Sequence, residues 1–300
     1  MNKPAVILVG PLPPPIHGVT ISTQRLLDSS LREKLDLRHL DTSDHRPMET
    51  VGALDLRNVT LGLASYWSLL KLCLSKRPAA IYVPISQTAL GFIRDSVYLL
   101  VPRVLFGAAV VIHLRGGHFG RFYKGSNALM RWYIDLTMRC VERVIVLGRV
   151  FKPIFTVWIG EDRIDVVPNG TDLKIEGVAE KLRAPNQGGL TVTYMSNLVP
   201  TKGIEEFVRM ACEVLRTEPG VSFLVAGDWL ARGTPEEKNV ERLLEESGFR
   251  DRIRFLGEVR GGDKAALLVR TDIYVLPTYY PFEGQPNAII EAMAAGCAVV

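Results

Sequence analysis

The sequence predicts an α/β protein made of two doubly wound, parallel-sheet domains, and three observations predict it. Short continuous apolar runs alternate with helical stretches along both halves of the chain, the pattern of strands buried on both faces of a parallel sheet. A length of 300 residues suits two domains at about 150 residues each. A polar stretch with Pro185, Asn186 and several glycines divides the two series of runs. The expected domains are therefore 1–172 and 190–300, joined by a linker at 173–189. A hydrophobic content of 47% against 23% charged residues fits a globular protein with a sizeable core. The net charge of +4 is too mild to indicate nucleic acid as a partner. Cys73, Cys140, Cys212 and Cys297 show no C-x-x-C spacing, which predicts reduced thiols in a cytoplasmic protein. Ala5–Val9 is too short for a secretory signal, and the most apolar region, Val97–Leu114, is interrupted by Pro102 and Arg103.

Ala5–Val9 reads as the first strand. It is followed by a proline-rich loop and a helix over Val19–Lys34. Gly18, at the end of that loop, lets backbone approach a ligand closely. His17 beside it is either a plain loop residue or a ligand contact. The loop lacks G-x-G-x-x-G, which counts against a nicotinamide-dependent dehydrogenase. Further strands are expected at Ala79–Val83, Ala108–Leu114 and Arg143–Leu147, with a weaker one at Arg163–Val167. The second of these ends in His113-Leu-Arg-Gly-Gly-His118, at the carboxyl edge where open α/β sheets bind ligands. Arg115 suits a phosphate or an anionic acceptor group but cannot shuttle protons at neutral pH. His118 and His113 are the candidates for proton chemistry or substrate contact, against the reading that both are structural. Between Arg115 and Lys152 lie eight Lys or Arg residues, with Phe119, Phe122, Tyr123, Trp132 and Tyr133 among them. Such a stretch suits contact with anionic lipid headgroups, or equally a solvated helix face whose aromatics enter the core.

In the second half, Leu190–Met195 reads as a strand, Ser196–Gly203 as a loop and Ile204–Arg216 as a helix. Lys202 then stands at a helix N-terminus, where point charge and helix dipole both favour a diphosphate. Val221–Asp228 reads as a strand ending in Gly227, followed by strands at Arg252–Glu258 and Thr271–Pro277. Last comes PFEGQPNAIIEAMAAGCAVV, residues 281–300, in which Glu283 and Glu291 stand eight positions apart. On one continuous helix they would lie about 12 Å apart and about 80° around the axis. Gly284 and Pro286 argue instead that Glu283 lies on a loop and Glu291 inside a helix beginning near Pro286. The loop and helix N-terminus then form an anion site with a carboxylate on each side. A ligand with a central diphosphate and hydroxyl-rich ends, such as a nucleotide sugar, fits that arrangement.

The string EGQPNAIIEAMAAGCAVV resembles the Glu-x7-Glu signature of family 4 retaining glycosyltransferases, EGFGLxxLEAMAxGxPVV. VPNGTD at 167–172, NLVPTKG at 197–203 and FLG at 255–257 resemble further motifs of that family, in its order. The resemblance implies the GT-B fold, two Rossmann-like domains with a cleft between them. It implies Glu283 at the transferred sugar in the catalytic centre, Glu291 on the ribose and Lys202 on the diphosphate. It also places Asn197, where the family has Arg, together with Gly284, Gln285, Gly227 and Gly18 around the donor. Arg115 stands where the family has its active-site His, leaving His118 and then His113 to take that contact. The implied function is metal-independent transfer of a sugar from a UDP- or GDP-linked donor to a glycan or lipid-linked acceptor. No cofactor is implied, no Asp-x-Asp occurs, and the location would be cytoplasmic or peripheral on the inner membrane face. Asn197 and Arg115 also suit a non-catalytic nucleotide-sugar-binding subunit. The family continues past the point corresponding to Val300, so a further strand and closing helices are expected.

Overall fold

A computed structural model describes residues 3–14, 18–43, 56–175 and 189–300, with the side chains of 56–61 excepted. His17 and most of the expected linker lie outside the described residues. The chain forms two compact units, Met1–Pro168 and Asn169–Val300, each with its own hydrophobic core.

The first unit is a six-stranded parallel sheet. Its strands are β1 (Ala5–Gly10), β2 (Asp36–Asp41), β3 (Ala80–Pro84), β4 (Ala109–Leu114), β5 (Arg143–Val146) and β6 (Ile164–Val166), in the order β2-β1-β3-β4-β5-β6. The apolar runs become the central strands because both sheet faces are covered: Ile7, Ile81, Val110, Ile112 and Val144 are fully buried. The sequence pattern does not predict β2. Its sequence, DLRHLD, alternates with charge, and only Leu40 is buried, as suits an edge strand. The helix expected over Val19–Lys34 breaks into Gly18–Asp28 and Leu31–Lys34. The Ser29 hydroxyl donates to the Leu26 carbonyl at 2.7 Å, a local bond that competes with the helical ladder. Helices Leu56–Ser75, Ala89–Phe106 and Ala128–Met138 pack in a row, the first against the second and the second against the third. β2 and β3 flank β1 on opposite sides, so the topological switch point falls at the carboxyl ends of β1 and β3.

The second unit is a five-stranded parallel sheet of β7 (Thr191–Met195), β8 (Ser222–Ala226), β9 (Ile253–Gly257), β10 (Ile273–Tyr274) and β11 (Ala298–Val299), ordered β11-β10-β7-β8-β9. Its switch point lies between β7 and β10. Helix Ile204–Thr217 presents Ile204, Phe207, Val208, Ala211 and Leu215 to the core, a stripe at helical spacing. Tyr274 is buried and donates its hydroxyl to the Met195 carbonyl at 2.8 Å, fixing β10 against the end of β7. All four cysteines are free thiols.

Gly227 sets how closely the loops after β7 and β8 approach each other. Its φ is +140°, and a Cβ there would stand 1.9 Å from the Ser196 carbonyl oxygen. Its N–H donates to the Gly257 carbonyl at 2.8 Å. We expect Gly227→Ala to lower stability by about 2 kcal/mol or more, read as a shift in the urea midpoint. An unchanged midpoint would show that the backbone there relaxes freely.

Candidate functional site

At the switch point of the second unit, two loops are locked together. The loop after β7 passes through the single turn Pro200–Lys202 and reaches Gly203 at φ +77°, from which helix Ile204–Thr217 starts. A Cβ on Gly203 would stand 2.3 Å from the Pro277 carbonyl oxygen, so only glycine lets the loop after β10 pass this close. The Tyr279 N–H and the Thr278 hydroxyl both donate to the Thr201 carbonyl, at 2.9 and 3.2 Å. The Lys202 ammonium forms an ion pair with Oε2 of Glu283 and lies 4.8 Å from the centre of the Tyr280 ring. Lys202 and Glu283, 81 residues apart in sequence, thus meet because β7 and β10 are neighbours.

Glu283 lies on the loop and Glu291 inside helix Asn287–Ala294, with Pro286 at its N-cap. Glu291 is 6% exposed, and its carboxylate is held by the Lys264 ammonium from helix Gly261–Arg270. A buried carboxylate needs such a partner to stay charged. The N–H groups of the first turn of Asn287–Ala294 have no intrahelical acceptors, and a negative charge is favoured there. Gln285, expected to face the donor, is engaged with Asn169. Its side-chain oxygen accepts from the Asn169 N–H at 2.7 Å, and its carbonyl accepts from the Asn169 amide at 2.9 Å. Asn197 is exposed on the loop after β7, and its carbonyl accepts the Tyr194 hydroxyl at 3.3 Å. Gly284 lies between Glu283 and Gln285, and Gly227 follows β8 against the loop after β7, where Leu198 pairs with Trp229.

The first unit has a cavity of about 360 Å³ at its own switch point. Gly10, Ser43, Ser86, Gln87, Arg94 and Arg115 are among its lining residues, drawn from the ends of four neighbouring strands and from helix Ala89–Phe106. Gly18 opens the helix that follows β1, with Val19 and Thr20 also on the cavity wall. Asp95, 1% exposed, anchors the wall. Its carboxylate accepts from the Ser86 N–H at 2.8 Å and from Arg94 at 2.7 Å. That carboxylate raises the Arg94 guanidinium above its ordinary pKa, against the opposing pull of burial. Arg115 donates from Nη2 to the Tyr82 hydroxyl at 2.9 Å, and that hydroxyl lies 2.7 Å from Nδ1 of His113. Burial raises the Tyr82 phenol, so it keeps its proton and donates it to Nδ1. His113 therefore carries its own proton on Nε2, a buried atom with no hydrogen-bond partner among the described residues. Burial, with Arg115 adding to it, lowers the His113 pKa to about 3. His118 occupies the N-cap position of the helix Phe119–Gly125, and its N–H donates to the Gln87 side chain at 2.6 Å.

Two groups of the sequence-derived residues come together: Lys202 with Glu283, and His113 with Arg115 through Tyr82. Tyr82, Asp95, Asn169 and Lys264 are partners that sequence reasoning does not single out. Asn169 lies within the PNG turn, whose side-chain demand is the available signal. Of the aromatics between Arg115 and Lys152, Phe119 is buried and Phe122, Tyr123 and Tyr133 pack against the core, whereas Trp132 is 60% exposed.

Residues 180–300 match the family model of glycosyl transferases group 1, so the sequence match falls on the second unit. The phosphatidylinositol N-acetylglucosaminyltransferase gpi3 subunit of Schizosaccharomyces pombe is 25% identical over 181 residues, 60% of this chain and 38% of that protein. The phosphatidyl-myo-inositol mannosyltransferase of Mycolicibacterium smegmatis is 31% identical over 144 residues, 47% of this chain and 34% of that protein. The chain thus spans between 34% and 38% of the length of these curated relatives. Among solved structures, Anabaena Alr3699/HepE in complex with UDP and glucose superposes with a TM-score of 0.62 at 16% identity, over 99% of this chain and 80% of that one. The fold is accordingly the GT-B type, with two parallel-sheet α/β units.

The His113 environment makes a pH prediction. An unfolded imidazole binds its proton near pH 6.5, whereas folded His113 does so only at about 3. Across that interval the unfolded state holds more protons. Stability is then constant above the interval and falls as pH drops through it, by up to about 1.4 kcal/mol per pH unit. We expect His113→Gln to flatten this acid limb in urea denaturation. An unaltered slope would mean that other groups carry it.

Proposed function

We propose that this protein is a retaining glycosyltransferase that takes its sugar from a nucleoside-diphosphate donor. The ion pair of Lys202 with Glu283 at the β7–β10 switch point carries this reading. It sets a diphosphate-seeking cation and a hydroxyl-seeking carboxylate side by side. An incoming diphosphate competes for Lys202, and Glu283, relieved of its partner, accepts hydrogen bonds from the sugar hydroxyls. Glu291, paired with Lys264, takes the ribose hydroxyls. The family match over residues 180–300 and the fold shared with a protein solved with UDP and glucose support this reading.

In the proposed reaction the bond between the anomeric carbon and the β-phosphate oxygen breaks, and the acceptor oxygen bonds to that carbon from the same face. The acceptor proton passes to the departing diphosphate, so no protein base is required. Lys202 and the first-turn N–H groups of Asn287–Ala294 stabilise the charge that develops on the diphosphate, a role that needs no metal ion. His113, buried and neutral behind Tyr82, adds no cation beside Arg115. Arg115, on the wall of the first-unit cavity, suits an anionic or phosphate-bearing acceptor. UDP- or GDP-linked donors, and lipid-linked or surface-polysaccharide acceptors at the inner face of a membrane, complete the reading. Two matched relatives are named for transfer to phosphatidylinositols, which is consistent with an anionic acceptor.

Asn197, exposed and uncharged on the diphosphate loop, favours a second reading, a nucleotide-sugar-binding subunit without catalysis. Release of free sugar or glycosylated acceptor from a radiolabelled donor supports the enzyme. Binding with neither product supports the subunit.

Titration calorimetry with nucleosides, their diphosphates and their sugar conjugates tests the site. Lys202→Ala should weaken diphosphate binding about tenfold to a hundredfold while leaving nucleoside binding nearly unchanged. Glu291→Ala and Lys264→Ala should weaken nucleoside and diphosphate alike. Equal affinities in all three variants and the parent would refute the assignment.

A further inference from the structure

We infer that the outer surface of the three-helix row in the first unit docks on an anionic lipid bilayer. Helix Leu56–Ser75 turns Leu69 and Cys73 to the core and yet leaves Leu63, Trp67 and Leu74 exposed in a single stripe on its other side. The neighbouring helix Ala89–Phe106 exposes Leu90, Ile93 and Val104, and the third, Ala128–Met138, exposes Leu129, Trp132 and Leu136. Trp67 and Trp132 are each 60% exposed. A single exposed aliphatic residue is ordinary, but an exposed tryptophan on the first and on the third helix of one row, with exposed aliphatic side chains on the helix between them, makes a surface more apolar than a water-facing one needs. Tryptophan suits the headgroup level of a bilayer, with its ring among acyl chains and its N–H toward water.

Charge decides the occupant. Residues 62–139, which contain the described side chains of these helices and their connections, hold ten Lys or Arg against Asp95 and Asp135, although Lys76 and Arg103 pair with Asp36 and Glu142 from outside the stretch and Arg115 lines the cavity. Asp95 is buried against Arg94, so half-buried Asp135, which accepts from Tyr123 and Trp158 at 2.9 and 2.7 Å, is the one carboxylate of the stretch set against its exposed cations. Lys71, Arg121, Lys124, Arg131 and Arg139 are exposed, with the Lys71 ammonium 5.5 Å from the Trp67 ring. A second copy of the same surface would bring like charges together, whereas an anionic bilayer complements them. No helix among the described residues is long and apolar enough to cross a membrane, so the contact is peripheral. The inference does not depend on the donor assignment.

Flotation with phosphatidylcholine vesicles, with and without added phosphatidylglycerol, tests it on the whole chain. We expect binding only to the anionic vesicles, weakened by salt. The double variant Trp67→Ser/Trp132→Ser and the charge variant Lys124→Glu/Arg131→Glu should each bind at least about tenfold more weakly, with the urea midpoint of the parent protein. Because the charge variant removes no packing, it keeps the test valid if the tryptophan variant unfolds. Absence of vesicle binding by the parent, or undiminished binding by folded variants, would overturn the inference. So would an oligomer, seen by light scattering, that dissociates on loss of the two tryptophans.

Discussion

The second unit depends on how closely two loops can approach at one sheet edge. Gly203 has no Cβ, and the Pro277 carbonyl occupies the place where one would be. That contact brings Thr201 within hydrogen-bond reach of Thr278 and Tyr279, and it delivers Lys202 to Glu283. The electrostatic logic follows. A lysine and a carboxylate that satisfy each other at rest are both available when a ligand supplies a phosphate for one and hydroxyls for the other. The site is built and kept neutral by the same pair that is proposed to bind.

The first unit uses the same position in its sheet for different chemistry. Its switch-point cavity is walled by strand ends and by Asp95, whose buried carboxylate is satisfied by Arg94 and the Ser86 N–H. Arg115 donates to the Tyr82 hydroxyl and that hydroxyl to Nδ1 of His113, a chain that ends in a neutral imidazole. The two units thus present different groups at their switch points, a cation–carboxylate pair in the second and a hydrogen-bonded chain that begins at a cation in the first.

Much of this architecture is legible in the residues alone. Runs such as Ala5–Val9 and Ala108–Leu114 suit buried strands, and the glycine and proline between Glu283 and Glu291 place one carboxylate on a loop and the other in a helix. β2 escapes because an edge strand needs only one buried residue, so DLRHLD carries no apolar signal. The break at Ser29 escapes because a serine side chain competing for a helical carbonyl depends on local geometry. The pairs Lys202–Glu283, Lys264–Glu291 and Asn169–Gln285 join distant segments through sheet order and loop packing, which residue spacing does not encode. Arg94 and Asp95 are adjacent charges on a helix, and only packing shows the carboxylate to be buried. The exposure of Trp132, when its aromatic neighbours turn inward, likewise depends on helix orientation.

The most direct measurement is a crystal structure of the protein with a nucleoside diphosphate that calorimetry shows to bind. The proposal predicts the diphosphate at the β7–β10 switch point, Lys202 turned from Glu283 to within about 3 Å of a phosphate oxygen, and Glu291 on the ribose. A nucleotide bound elsewhere, or one bound there while Lys202 stays paired with Glu283, would contradict it.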